Sequence, residues 1–346
     1  MEIVLQKFGI PTDALIIPIT SGIINKTYKL SSGKGDFILQ QINDHVFVSP
    51  ELIQENIASI AAYLKKNYAH YLFPSPIANS EGSHLLHIPE QGYYRVFPFI
   101  NGTHTIDVVA NPKQAFEAAE QFGRFTAYLG GFDCNKLKVT IPNFHNLRFR
   151  YQQFQEAIAA GNPDRIRSEK NLIEKLIQLN FLVKQYDAIT TTPSFKKRVI
   201  HHDTKISNVL FNEQNNAVCI IDLDTVMPGY FISDVGDMMR TYLCPVSENE
   251  QDISKIEIRP AYYYAIVEGY YKEMQHELTT NETKHFFFAG QFMIYMQALR
   301  FLTDYLNNDQ YYQIQYSGQN LVRAINQVVL LERLMEYETE FKKMKL

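Results

Sequence analysis

Three side chains near one another in the middle of the chain, Asp203, Asn208 and Asp222, carry the oxygen atoms that phosphoryl transfer uses. Asp203 lies in the run His201-His202-Asp203-Thr204-Lys205-Ile206-Ser207-Asn208-Val209-Leu210-Phe211, with four residues between it and Asn208. An apolar run then leads through Val218-Cys219-Ile220-Ile221 to Asp222-Leu223-Asp224. Phosphoryl transfer needs a carboxylate to orient the attacking hydroxyl and accept its proton, and a divalent metal to bridge and neutralise the phosphate oxygens. Magnesium takes oxygen ligands, commonly one or two from protein with the rest from phosphates and water. In this segment Asp203 can act as the base, Asn208 offers an amide oxygen, and Asp222 a carboxylate.

Each residue also has a plainer reading. An Asp in a turn is commonly a cap or turn former. His201, His202 and Asp203 could bind zinc, but no third ligand stands at a familiar spacing. Asp222 and Asp224 could be solvated charges at a strand end. None of these alone accounts for H-x-D-x4-N, a hairpin and Ile-Asp within one span.

The elements that must position this set are readable from pattern. Ile16–Ile19, Thr27–Leu30, Phe37–Gln41, His84–Ile88 and Tyr93–Phe97 are short β-rich runs, separated by turn clusters such as residues 31–36. Between the third and fourth, Ser49 suits an N-cap and Pro50 a first helical position, and Ile53, Ile57, Ile60, Ala61 and Leu64 recur at helical spacing. After Pro98 the pattern turns helical over Pro112–Leu129, Asn146–Ala160 (stopped by Gly161-Asn162-Pro163), Ile166–Tyr186 and from Pro260 onward. A β island interrupts it: Arg198–Ile200, Val209–Phe211 and Ala217–Ile221, the last two joined by the hairpin loop 212–216. The fold class expected is α+β. Residues 1–98 form a small β-rich part ending in a hinge, and 99–346 a large, mostly helical part.

The chain has 346 residues, 46% hydrophobic and 20% charged, which suits a globular protein with a sizeable core. A net charge of -4 argues against a nucleic-acid partner. Met1–Ile10 carries no basic stretch followed by an apolar run, and the apolar stretches are short, so neither a secretory leader nor a membrane span is expected. Cys134, Cys219 and Cys244, odd in number and widely spaced, fit no disulfide framework and point to a cytoplasmic protein.

The segment around Asp203 resembles the catalytic loop and metal-binding strand of the aminoglycoside phosphotransferase and choline kinase group of small-molecule phosphotransferases. That resemblance implies a protein-kinase-like two-lobed fold, ATP and Mg2+ as cofactors, Asp203 as catalytic base, and Asn208 and Asp222 as magnesium ligands. It also implies His201 as internal support of the loop, with Asp224 and Asp237 in supporting roles. Ile38–Asn43, Tyr94–Ile100, Ile221–Tyr242 and Leu299–Leu306 resemble the N-acetylhexosamine 1-kinase branch, which phosphorylates the anomeric hydroxyl of N-acetylglucosamine or N-acetylgalactosamine. The same resemblance places Arg300 and Tyr311 at the sugar. The plainer readings are a surface ion pair of Arg300 with Asp304 at i+4, and one tyrosine among the chain's 22.

For the nucleotide, the resemblance directs attention to Thr20–Tyr28, the stretch that would cover the phosphates through backbone N–H groups, with Ser21, Gly22, Asn25 and Thr27 as contributors. Kinase-like folds carry a lysine on the third strand and a paired glutamate on the following helix. Here Gln40 stands at the first position and Glu55 at the second, and Lys29 on the neighbouring strand is a candidate for the missing charge. Phe97 to Ile100 would form the hinge, with Phe97 and Phe99 beside the adenine. The branch commonly has Asp where Lys26 stands and often His where Ile23 stands, which leaves the sugar open. Two other functions remain: a kinase of an aminoglycoside, choline or another sugar, and a catalytically silent binding protein on this scaffold. A polycationic acceptor would need an acidic lining, for which Glu248, Glu250 and Asp252 are the candidates.

Overall fold

The computed structural model describes residues 1–20, 24–344 and 346. In chain order the elements are α1 (Glu2–Lys7), β1 (Leu15–Ile19), β2 (Lys26–Ser32), β3 (Gly35–Ile42), α2 (Pro50–Asn67), β4 (Leu86–Ile88), β5 (Gly92–Pro98), β6 (Thr103–His104), α3 (Pro112–Tyr128), α4 (Leu147–Ala160), α5 (Pro163–Ser168), α6 (Lys170–Gln178) and α7 (Phe181–Thr190). There follow β7 (Arg198–Ile200), β8 (Val209–Asn212), β9 (Ala217–Ile220), β10 (Met227–Gly229), α8 (Phe231–Tyr242), α9 (Pro260–Met274), α10 (Thr280–Thr283), α11 (Phe286–Leu306), α12 (Gln319–Glu336) and α13 (Glu338–Phe341). They form two compact units. The first takes in Met1–Thr105, Gly131–Pro142 and Asn208–Pro228, and the second the remainder. A single cut at residue 98 would leave 131–142 and 208–228 with the C-terminal part.

In the first unit an antiparallel sheet runs in the order β1-β2-β3-β5-β4. Side chains alternate across it with period two. Leu30, Leu39, Tyr94, Val96 and Leu86 point to one face and pack on Val4, Leu5, Phe8 and Ile10 of the N-terminal segment. Helix α1 is short, and its apolar residues serve as a cover for this face. The other face, by the same alternation and the register Thr27↔Gln40↔Arg95 and Lys29↔Ile38↔Phe97, carries the polar candidates Thr27, Lys29, Gln40 and Arg95. Helix α2 begins at Pro50 as expected from its sequence and buries Ile53, Ile57, Ile60 and Leu64, although the Ser49 side chain makes no capping bond. The β8–β9 hairpin turns through Asn212, whose Oδ1 accepts from Gln214 N and Asn216 N at 3.0 Å each, with Asn215 in the left-handed region.

The second unit is mostly helical. Helix α11 is apolar almost all round and is buried along its length, as a central helix must be. Helices of this unit approach one another closely where glycine permits, α8 against α11 and α9 against α3. A Cβ at Gly236 of α8 would stand 2.3 Å from the Ala289 carbonyl oxygen, and one at Gly269 of α9 would stand 2.4 Å from the Phe116 carbonyl oxygen. The single helix expected over Ile166–Tyr186 is instead three, α5 to α7, the first break inside that span falling at Glu169 (φ −100°, ψ 21°). Asn162 Oδ1 accepts from Asp164 N and Arg165 N with Pro163 at the first helical position, so Gly161-Asn162-Pro163 ends one helix and starts the next. The second break comes at Leu179 and Asn180, where Asn180 N–H turns back to Ile177 O at 3.1 Å and re-aims α7 so that Leu182, Val183 and Tyr186 bury. No helix among the described residues is long and apolar enough to cross a membrane.

Candidate functional site

In the second unit the chain leaves β7 into the loop that carries Asp203, and four successive backbone N–H groups of this loop have partners. His201 N and His202 N donate to the two oxygens of Asp234 (3.1 and 2.7 Å). Asp203 N donates to His201 Nδ1 (3.3 Å), and Thr204 N to Asp237 Oδ2 (2.8 Å). His201 is fully buried, edge-on to Phe122, and the bond it accepts leaves Nδ1 without a proton, so the ring is neutral with its hydrogen on Nε2. His202 sits at φ 67°, a left-handed conformation that costs on the order of 1–3 kcal/mol in a non-glycine residue and persists only under firm constraint. The Asp234 clamp is part of that constraint. So is Gly229, where a Cβ would fall 2.5 Å from His202 Nε2. Asp237 is fixed in turn by Arg240 (Nη2 to Oδ1, 3.0 Å), and the Tyr242 hydroxyl donates to Thr204 O (2.5 Å). Asp203 itself remains partly exposed, with Lys205 Nζ 3.1 Å from its Oδ1; that carboxylate raises the Lys205 pKa.

Asp234 is spaced three residues from Asp237 on α8, so both face the loop. Burial raises its carboxyl to about 7, against the pull of the two N–H bonds it accepts. Folding therefore raises this pKa above its unfolded value, near 3.8, and its stabilisation is complete below that value and lost as pH rises through about 7. Asp234→Asn cannot titrate. The melting temperature of the wild type relative to this variant is expected to fall between about pH 4 and about pH 7 and to level off above that; a constant difference in thermal melts across that range contradicts it.

In the first unit Asn208 and Asp222 flank the open end of the β8–β9 hairpin, where Ile221 N donates to Asn208 O at 2.9 Å. Asn208 is buried, and Asp222, exposed and left-handed at φ 61°, heads a 3-10 turn, Leu223–Thr225. Among the described residues no group of three His, Cys, Asp or Glu side chains could itself hold a metal ion. An amide oxygen and a carboxylate still fit magnesium chemically, since phosphates and water complete its shell. Asp224 is 1% exposed. Its Oδ1 lies 2.6 Å from Arg95 Nη2, and its Oδ2 accepts from Asn25 Nδ2 at 2.8 Å. Gln40 Oε1 accepts from Arg95 Nε and Nη2 (3.0 and 2.8 Å), and Gln40 Nε2 donates to Thr27 Oγ1 (3.4 Å).

The second unit also holds a cavity of about 180 Å³ lined by Arg150, Gln153, Arg300, Asn307, Gln310 and Tyr311, among others. Arg300 lies 5.4 to 5.8 Å from the rings of Phe144, Tyr311 and Tyr312 and donates to Gln297 Oε1. Burial and the facing Arg300 lower the Arg150 pKa to about 10.

The sequence matches the phosphotransferase enzyme family (APH) over residues 16–268, a span that contains both the clamped loop and the hairpin. The chain belongs to this family. It is accordingly a small-molecule kinase. The fold is similar to that of a microcompartment-associated aminopropanol kinase (15% identity, TM-score 0.63, covering 99% of this chain and 98% of that one). It is similar also to an aminoglycoside phosphotransferase from Alicyclobacillus acidocaldarius subsp. acidocaldarius DSM 446 (11%, 0.62, 98% and 96%). A third likeness is to an amicoumacin kinase in complex with AMP-PNP, Ca2+ and Ami (15%, 0.59, 96% and 93%). The two-part α+β architecture, a small antiparallel sheet and a mostly helical part, is the one these phosphotransferases share.

Of the residues singled out in this phosphotransferase by sequence, Asn25, Thr27, Gln40 and Asp224 meet in one network, and Arg300 and Tyr311 share the cavity. Ser21 and Gly22 lie outside the described residues. Glu55 is exposed, and the side-chain bonds of Gln40 run to Arg95 and Thr27. Lys29 pairs with Asp36 at 2.9 Å and lies 4.0 Å from the Phe99 ring centre, while Phe97 lies 5.2 Å from the Arg95 guanidinium. Arg300 does not pair with Asp304, whose carboxylate instead accepts Tyr311 N and Tyr312 N. Glu248 and Glu250 are bound to Arg240 and Lys255, so neither is a free acidic lining. Sequence reasoning missed Arg95, Arg150, Thr204 and Arg240. Arg95 had one signal, its place opposite Gln40 in an alternating strand.

Proposed function

We propose that this phosphotransferase moves the γ-phosphoryl group of ATP, with magnesium, to the anomeric hydroxyl of an N-acetylhexosamine in the cytoplasm. The observation that carries the reaction is the clamped loop. Its backbone donors are taken up by Asp234, Asp237 and His201, while Asp203 keeps a partly exposed carboxylate. Asp203 orients the sugar hydroxyl and accepts its proton. The hydroxyl oxygen forms a bond to the γ-phosphorus, the bond from that phosphorus to the β–γ bridging oxygen breaks, and ADP leaves. Asn208 and Asp222 would hold magnesium, which neutralises phosphate charge when bound. The sheet face with Thr27 and Gln40, together with Asn25, takes the phosphates, and Phe97 and Phe99 flank the adenine.

For the acceptor, the cavity around Arg300 and Tyr311 offers guanidinium, phenol and amide groups, which suit sugar hydroxyls and an acetamido carbonyl. Two facing arginines disfavour a cationic acceptor such as choline or an aminoglycoside, because like charges repel strongly where water is scarce. A panel of N-acetylhexosamines, other sugars, aminoglycosides and choline, assayed for ADP release with ATP and magnesium, tests this. Turnover on N-acetylglucosamine or N-acetylgalactosamine is expected. Turnover confined to the cationic compounds would overturn the acceptor while leaving the reaction.

A further inference from the structure

The side chain of Arg95 is 1% exposed, and a guanidinium that deep must find partners for a permanent charge and five N–H groups. The charge, Nε and Nη2 find them in two directions, while Nη1 makes no hydrogen bond among the described residues. On the neighbouring strand β3, Gln40 Oε1 accepts two of its N–H groups, at 3.0 and 2.8 Å. From the turn that follows Asp222, Asp224 brings Oδ1 to 2.6 Å of Nη2. Asp224 then passes the constraint on, since its Oδ2 accepts from Asn25 Nδ2 at 2.8 Å and Asn25 Oδ1 accepts from Asn43 N at 3.0 Å. Thr140 Oγ1 fixes the Asp224 carbonyl at 3.1 Å. One carboxylate oxygen of Asp224 thus accepts a hydrogen bond and the other, buried, faces the Arg95 charge without forming one, which suits a brace within the protein.

The two ends of this chain of bonds have different neighbours. One is Asn25, within the stretch assigned to the nucleotide phosphates. The other is the turn that begins with Asp222, two residues before Asp224. Gln40 carries no charge, so the one cation of this network is Arg95. We propose that Arg95 is a positioning residue for the nucleotide: through Asp224 it sets the place of Asn25 and of the Asp222 turn relative to the sheet face that carries Thr27 and Gln40. This rests on the reading that the face binds ATP. Lysine cannot replace it, because a single ammonium cannot reproduce the planar fork that reaches Gln40 and Asp224 together.

The experiment is calorimetric titration of the full chain with ADP and magnesium, beside KM measurements and thermal melts. Arg95→Lys is expected to raise the ADP Kd and the KM for ATP by about 10- to 100-fold, the range typical of residues that orient a ligand's direct partners. The KM for the acceptor should not change. A second variant, Arg95→Met with Asp224→Asn, removes both charges and leaves no buried ion unpaired, so it keeps the test open should Arg95→Lys fail to fold. It should melt near the wild type yet bind ADP as weakly as Arg95→Lys. Wild-type ADP affinity in either folded variant would overturn the positioning role. Failure of the wild type to bind ADP would instead overturn the nucleotide reading, and the role with it.

Discussion

Asp203→Asn is expected to lower kcat by about 10²- to 10⁴-fold, the usual contribution of a positioned general base, with little change in melting temperature. The substitution keeps the shape of the side chain and leaves the backbone clamp untouched, because Asp203 N donates to His201 and its neighbours donate to Asp234 and Asp237. An amide cannot take the proton of the attacking hydroxyl. The Lys205 contact, 3.1 Å away and half exposed, adds little to stability. KM for ATP should stay within a few-fold of the wild type, since the nucleotide is assigned to residues of the other unit. Single-turnover rates and melts on the same preparation check this; a kcat within a few-fold of the wild type would remove Asp203 from the reaction.

The largest effect on stability is expected at Glu282. This carboxylate is fully buried and accepts from Arg198 Nη1 and Nη2 (2.7 and 2.9 Å), Lys196 N (2.8 Å) and Thr279 N (2.9 Å). It also completes a capping box with Thr279, so it holds the start of α10 and the segment before β7 at once. Glu282→Ala leaves the Arg198 guanidinium, 7% exposed, without its counter-ion, and removing one member of a buried pair costs about 3–5 kcal/mol. Urea unfolding should show a lowered midpoint with an unchanged slope. Because β7 leads directly into the Asp203 loop, kcat per folded molecule is a useful companion measurement. A loss under about 1 kcal/mol would mean that the pair is no more than a surface contact.

Much of the sheet was legible because period-two alternation is a local signal. Leu30, Leu39, Tyr94 and Val96 sort to one face from the sequence, and so do Thr27 and Gln40 to the other. The start of α2 was legible from Ser49-Pro50 for a similar reason. The role of Arg95 was not, because it depends on the pairing of strands β3 and β5, whose partner residues Gln40 and Arg95 stand far apart in sequence; the resemblance implied a supporting role for Asp224 but not its partner Arg95. The kinase-like pattern pairs Gln40 with Glu55, whereas the structure ties Gln40 to Arg95. The arrangement around Asp203 was half legible. Asp234 and Asp237 stand at helical spacing, but which of them clamps His201 and His202 depends on the direction of α8, and the notable share falls to Asp234. In the cavity, Arg148 and Arg150 are indistinguishable by sequence. Helix α4 turns Arg148 outward to Asp187, where it lies 67% exposed, and Arg150 inward toward Arg300.

The most direct test is to incubate the full chain with ATP, magnesium and N-acetylglucosamine or N-acetylgalactosamine and to examine the product by phosphorus NMR. The expected product shows a phosphorus coupled to the anomeric proton, formed in step with ADP and absent with Asp203→Asn. Phosphate on another hydroxyl, or no transfer to either sugar while another acceptor is phosphorylated, would contradict the assignment of the anomeric hydroxyl of an N-acetylhexosamine.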